Sequence, residues 1–74
     1  MIEKIPFLHR QKMYNIIVDD DIELTALHYI LDELIDKGAF IPYDGGDPAL
    51  FNMIYEDVCY TVGVDGTDVM VVIR

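Results

Sequence analysis

Leu24, Leu27, Ile30, Leu31, Leu34 and Ile35 recur at intervals of three and four residues, which puts all six on one stripe of an α-helix. No other segment constrains the fold as tightly. His28, Asp32, Glu33 and Asp36 fall on the wet side, so the helix is amphipathic and needs an apolar surface to cover its stripe. Asp19, Asp20 and Asp21 mark its start. Their charge favours the positive end of a helix, and Asp20 as N-cap with Glu23 three residues on matches a capping box. Gly38 supplies the stop, and Glu33 precedes Lys37 at a favourable helical spacing. The pattern predicts a helix over residues 21–37.

The surface that receives this stripe reads as β-sheet. In residues 13–18, Tyr14, Ile16 and Val18 alternate with Met13, Asn15 and Ile17, and both sets are mostly apolar, as an inner strand requires. Asp65-Gly66 separates two β-branched runs and predicts a C-terminal β-hairpin with those two residues as its loop. In that register Val64 opposes Thr67, Val62 opposes Val69, Tyr60 opposes Val71 and Val58 opposes Ile73. Asp57 then meets Arg74, and Cys59 is a small packing residue opposite Val72.

The remaining segments are less regular. Asp47-Pro48 suits an N-cap and first helical position, with Leu50, Phe51, Ile54 and Tyr55 along one side of a short helix over 47–56. The aromatic and β-branched content of 51–55 suits a strand instead. Residues 39–43 read as a short strand and 44–47 as a turn. Pro6 interrupts regular structure in residues 1–12, which read as a basic arm or an edge segment. The sum is a single α+β domain over 1–74: a small antiparallel β-sheet, one long amphipathic helix packed on one face, and a C-terminal β-hairpin.

A hydrophobic content of 53% argues against disorder, and 74 residues leave no room for a second core. No apolar run reaches the ~20 residues that span a bilayer. The single cysteine, Cys59, cannot form an internal disulfide, so a soluble, cytoplasmic protein is expected.

Charge narrows the function. The net charge is −9, yet Lys4, Arg10 and Lys12 leave the first twelve residues at +2 and the rest at −11. Such a body is repelled by nucleic acid and anionic membranes and attracted to basic protein surfaces. Consecutive Asp19, Asp20 and Asp21 cannot face one ion, and the Asp44 and Asp65 turns do not continue into a calcium loop, so no metal is expected. His9, His28 and Cys59 belong to no motif. Phosphate-binding glycine loops and nucleophile elbows are absent, so neither an enzyme nor a cofactor is expected.

The expected function is therefore a non-enzymatic acidic module that binds a protein partner with a basic surface. In its concrete form it is an inhibitor that occupies a nucleic-acid-binding groove by mimicking phosphates. Asp19, Asp20, Asp21, Asp32, Glu33 and Asp36 along the helix, and Asp44 and Asp47 in the turn, would supply the charge. Tyr43 and Tyr55, beside that turn, are candidate contact aromatics. In size and charge alone the chain resembles small phage-encoded inhibitors of host nucleases and defence complexes. The rival expectation is a small structural or regulatory subunit that forms a homodimer, or joins a larger complex, through an apolar face.

Overall fold

A hairpin of β1 (Glu3–His9) and β2 (Lys12–Val18) opens the fold, in a computed structural model that describes residues 2–19, 21–40 and 49–73. Helix α1 (Leu24–Asp36) follows, and then β3 (Ala49–Tyr55), β4 (Val58–Asp65) and β5 (Asp68–Ile73) form a meander. All five strands join one sheet in the order β1-β2-β5-β4-β3. The molecule is thus a two-layer α+β arrangement. The sheet is mixed rather than antiparallel, because β5 runs parallel to β2. The chain crosses over by way of α1, so β3 starts at the same end as β2. Two hairpin reversals later β5 runs in that direction again.

Residues 3–9 are an edge strand, with Pro6 opposite Asn15. An edge position tolerates a residue that lacks an N–H. The loops at Arg10-Gln11 and Glu56-Asp57 have positive φ at both central residues, at 50° and 63° and at 49° and 65°. That is the backbone of a type I′ turn, whose twist matches the flanking strands.

The hairpin of β4 and β5 corrects the predicted register. Val64 pairs with Val69, Val62 with Val71 and Tyr60 with Ile73, so the loop is Gly66-Thr67, closed by Asp65 opposite Asp68. This lies two residues from the expected pairing. A shift of two preserves which residues face the core, so the alternation alone cannot distinguish the two registers. The observed one matches valine to valine and puts Gly66, at φ 64°, first in the loop, as a type II′ turn requires. The like charges are eased by Asn15, whose Nδ2 donates to Asp68 Oδ1 at 3.0 Å. Cys59 pairs with Ile54 of β3, not Val72, and Thr61 takes the place opposite Val72.

Residues 49–55 are strand throughout, which overturns the short helix. Pairing with β4 along the full length of β3, from Ala49↔Val64 to Tyr55↔Val58, satisfies the backbone groups on the inner side of this edge strand. Helix α1 is also shorter than predicted, at 13 residues. Glu23 is its N-cap, extended at φ −64° and ψ 146°, with no side-chain cap bond, so it does not act as the third helical residue of a capping box. The C-terminal stop is as expected. Gly38, at φ 70°, donates to the Ile35 carbonyl at 3.1 Å and Ala39 donates to Leu34 at 2.9 Å, a Schellman motif. Ala39 and Phe40 continue this turn rather than opening a strand. Asp20, the 41–43 part of the short strand, the 44–47 turn, Pro48 and Arg74 lie outside the described residues.

The core lies between α1 and one sheet face. Ile16, Val69 and Val64 line up across β2, β5 and β4, and Val18, Val71 and Val62 form the next row. Ile30, Leu31 and Leu34 of the helix are fully buried against them. Two aromatic contacts seat the helix between the sheet edges: His28 lies 5.1 Å from Phe7 of β1, and Tyr29 lies 4.9 Å from Tyr55 of β3. No helix of the described residues is long and apolar enough to cross a membrane.

Candidate functional site

Two features stand out, one polar and one apolar. The polar one joins β1 to α1. Alternation along β1 directs Phe7 and His9 toward the helix, and His9 is only 8% exposed. On the helix, His28 and Asp32 are four residues apart and share a flank. His9 Nε2 donates to Asp32 Oδ1 at 2.8 Å, and His9 Nδ1 lies 2.9 Å from His28 Nδ1. Arg10 Nη2 reaches the same Asp32 oxygen at 3.0 Å. The basic segment thus folds back onto the acidic helix.

A neutral imidazole carries one N–H and one lone pair. With its Nε2–H given to Asp32, a neutral His9 accepts at Nδ1 from His28, whereas a His9 imidazolium donates there. Asp32 is held below the ordinary carboxylate range, first by the His9 hydrogen bond, against some desolvation, and then by the charges of Arg10, His9 and His28. The arrangement orders the two rings and can hold a proton between them. Cys59 lies on the opposite face of the sheet, so it is not a nucleophile for this pair. Among the described residues no group of His, Cys, Asp and Glu side chains is arranged to hold a metal ion.

The apolar feature is the sheet face turned away from α1. The same alternation that buries Ile16 and Val69 turns Ile17 and Met70 outward, and the register extends this row across the sheet as Lys4, Ile17, Met70, Gly63 and Leu50. Nine large apolar side chains are exposed in the described residues, and six of them, Leu8, Met13, Leu50, Ile54, Met70 and Val72, lie on these outward strand positions. No described element covers them. A groove of about 220 Å³ runs over Gly63 between Met70, Leu50 and Val72, with Asp65 and Asp68 at one end.

The residues expected to bind a partner are scattered. Asp19, Asp21 and Asp36 are exposed and Glu33 is half-buried. Asp32 is tied into the histidine cluster. Tyr55 is half-buried against Tyr29. Asp20, Tyr43, Asp44 and Asp47 lie outside the described residues. Tyr14 and Tyr60 belong to the core, and burial pushes the Tyr60 phenol up, helped by Glu23, Glu56 and Tyr55. The His9–His28 contact escaped the sequence reading, although the alternation of Phe7 with His9 and the four-residue spacing of His28 and Asp32 were both present.

A second hollow lies between Arg10, Lys12, Tyr14 and Phe40, where the Lys12 ammonium lies 5.6 Å and 5.9 Å from the two ring centroids. The carbonyl end of α1 at Gly38 also lines it, and that end of the helix dipole opposes an anion. No protein-family model matches the sequence, and no curated protein or solved structure gives a significant match. The class is therefore defined by architecture alone, as a small α+β domain with one helix-covered and one open sheet face.

Proposed function

We propose that this chain is a non-enzymatic protein-binding module that works through the open apolar face of its sheet. One observation carries the reading: among the described residues, six of the nine exposed large apolar side chains share that face. Contiguous exposed apolar surface is uncommon on monomers unless it binds something, whereas apolar residues scattered singly need no explanation. Among the described residues the five-stranded sheet has helix on one side only, so a partner would add a third layer on the open side.

An acidic phosphate mimic that docks in a basic groove is the second reading. Asp19, Asp21 and Asp36, exposed on a chain of net charge −9, favour it. Its weakness is Asp32, already engaged by Arg10 and His9. Affinity capture with three baits separates the two: the unaltered chain, Met70→Glu on the open face, and Asp21→Asn with Asp36→Asn on the acidic side. The open-face reading expects the partner to be lost with Met70→Glu and kept with the asparagine bait. The reverse pattern, with capture weakened steeply by salt, would replace it with mimicry.

A further inference from the structure

We infer that the open sheet face is occupied by a second copy of this chain, giving a two-fold dimer in which two sheets pack face to face and both α1 helices lie outside. This rests on the reading of that face as the binding surface.

Area is the first argument. Five strands ~4.8 Å apart and about seven residues long offer roughly 450 Å² per copy in projection. Two such faces in contact remove about 900 Å² in projection, an area in the range of weak, reversible interfaces.

Charge placement is the second. The central row carries one ionisable group, Lys4, at its β1 end, and the two carboxylates that line the groove, Asp65 and Asp68, sit at its hairpin end, where Asp68 accepts from Asn15. Asp21, Glu23, Glu33 and Asp36 belong to the helical layer or the segment leading into it. Packing the open faces together therefore puts the helical layers of two −9 chains as far apart as the architecture allows. A large basic partner would gain more on the helical side, because this face carries two carboxylates at one end and Lys4 at an edge, whereas Asp19, Asp21, Glu23 and Asp36 are exposed on or beside the helix.

Shape is the third. The face carries both a protrusion and a hollow, with Leu50 74% exposed beside the groove over Gly63. An isologous interface needs one patch that complements itself. Sheets packed in this way stand about 10 Å apart with interdigitated side chains, and Met13 and Met70 supply side chains flexible enough to adjust.

Sedimentation of the purified full chain tests the inference. A species of twice the 8.5 kDa chain mass is expected at tens of micromolar protein, an estimate set by the modest interface area. Because like-charged copies repel, raising sodium chloride from 50 to 500 mM should tighten it. Met70→Glu and, independently, Leu50→Glu should each raise the dissociation constant at least about tenfold, with circular dichroism unchanged because both side chains are exposed in the single chain. A chain that stays monomeric at every concentration overturns the dimer, as does a dimer indifferent to both substitutions. If the chain is monomeric while affinity capture still depends on Met70, the dimer fails and the binding-module reading stands. If neither depends on Met70, both fail.

Discussion

His9 and His28 meet Nδ1 to Nδ1 at 2.9 Å across the junction of β1 and α1, and the far nitrogen of His9 is fixed by Asp32 at 2.8 Å. His9 is buried, so each nitrogen that loses its partner costs the desolvation of a polar group, about 1–3 kcal/mol. Asp32→Ala should lower stability by that amount in urea unfolding. Asp32→Asn, which keeps an acceptor oxygen, should recover a part. His28→Ala should cost less, because His28 is exposed and its site fills with water.

The same carboxylate gives the fold an acid limit. Asp32 is depressed below its ordinary value of 3.8 by the hydrogen bond from His9 and by the neighbouring positive charges. A depressed carboxylate contributes stability that is fully present above the unfolded value and is lost as pH falls through the folded one. The loss from this group should therefore begin near pH 3.8 and deepen below it. Urea midpoints measured from pH 6 to pH 2.5 should fall less steeply in Asp32→Asn than in the unaltered chain. Equal slopes would show that Asp32 does not contribute.

How far the sequence revealed all this depended on the range of the interaction involved. Helix α1 was legible because its stripe repeats within one element, and Gly38 marked its end, although Leu24, expected on the buried stripe, is 65% exposed at the first turn. Its start was misjudged because three consecutive aspartates offer several cap positions. The side of each strand that faces the core was legible from parity, but the β4–β5 register was not, since both candidate pairings bury the same residues. The parallel contact of β2 with β5 joins residues such as Ile16 and Val69, which no local pattern relates. The histidine cluster was hidden for the same reason. It required β1 to be a strand packed under α1, whereas Pro6 and the basic residues suggested an arm. The open face was implicit in Met13, Ile17, Met70 and Val72, apolar where a solvated face would be polar.

The Glu56-Asp57 turn holds two non-glycine residues in the left-handed region. This conformation crowds Cβ against the following carbonyl, by roughly 1–2 kcal/mol per residue for most side chains and less for Asp or Asn. Replacing the pair with Asn-Gly, the preferred type I′ sequence, should raise stability by about 1 kcal/mol without changing the β3–β4 register. Thermal and urea unfolding would measure it, and a loss of stability would show that Glu56 or Asp57 makes a compensating contact.

The two sheet faces should respond oppositely to truncation. Ile30 has no exposed surface, so Ile30→Ala should cost about 2–5 kcal/mol through lost burial and the cavity left behind. Met70 is 52% exposed, and Met70→Ala should cost under about 1 kcal/mol at protein concentrations where the chain is monomeric. A large cost for Met70 in the monomer would mean that its face is structural rather than a contact surface.

Gly63 tests how free the surface of that face is. It lies in the middle of β4 without the positive φ that would require glycine, and a glycine inside a strand costs roughly 0.5–1 kcal/mol relative to alanine. A Cβ at this position would meet Leu50 Cδ2 at 3.3 Å and Met70 Cβ at 3.9 Å. The first contact is tight, but it involves the far end of a side chain that is 74% exposed and has room to turn. Gly63→Ala should therefore stabilise the single chain by about 0.5 kcal/mol in urea unfolding. It should also weaken self-association, because the added methyl fills the floor of the groove and displaces Leu50 toward the partner. Gain of stability with loss of dimer would separate the needs of the fold from those of the interface at one residue. A destabilised chain would show instead that Leu50 is held firmly over Gly63 and that the groove belongs to the packing of the single sheet.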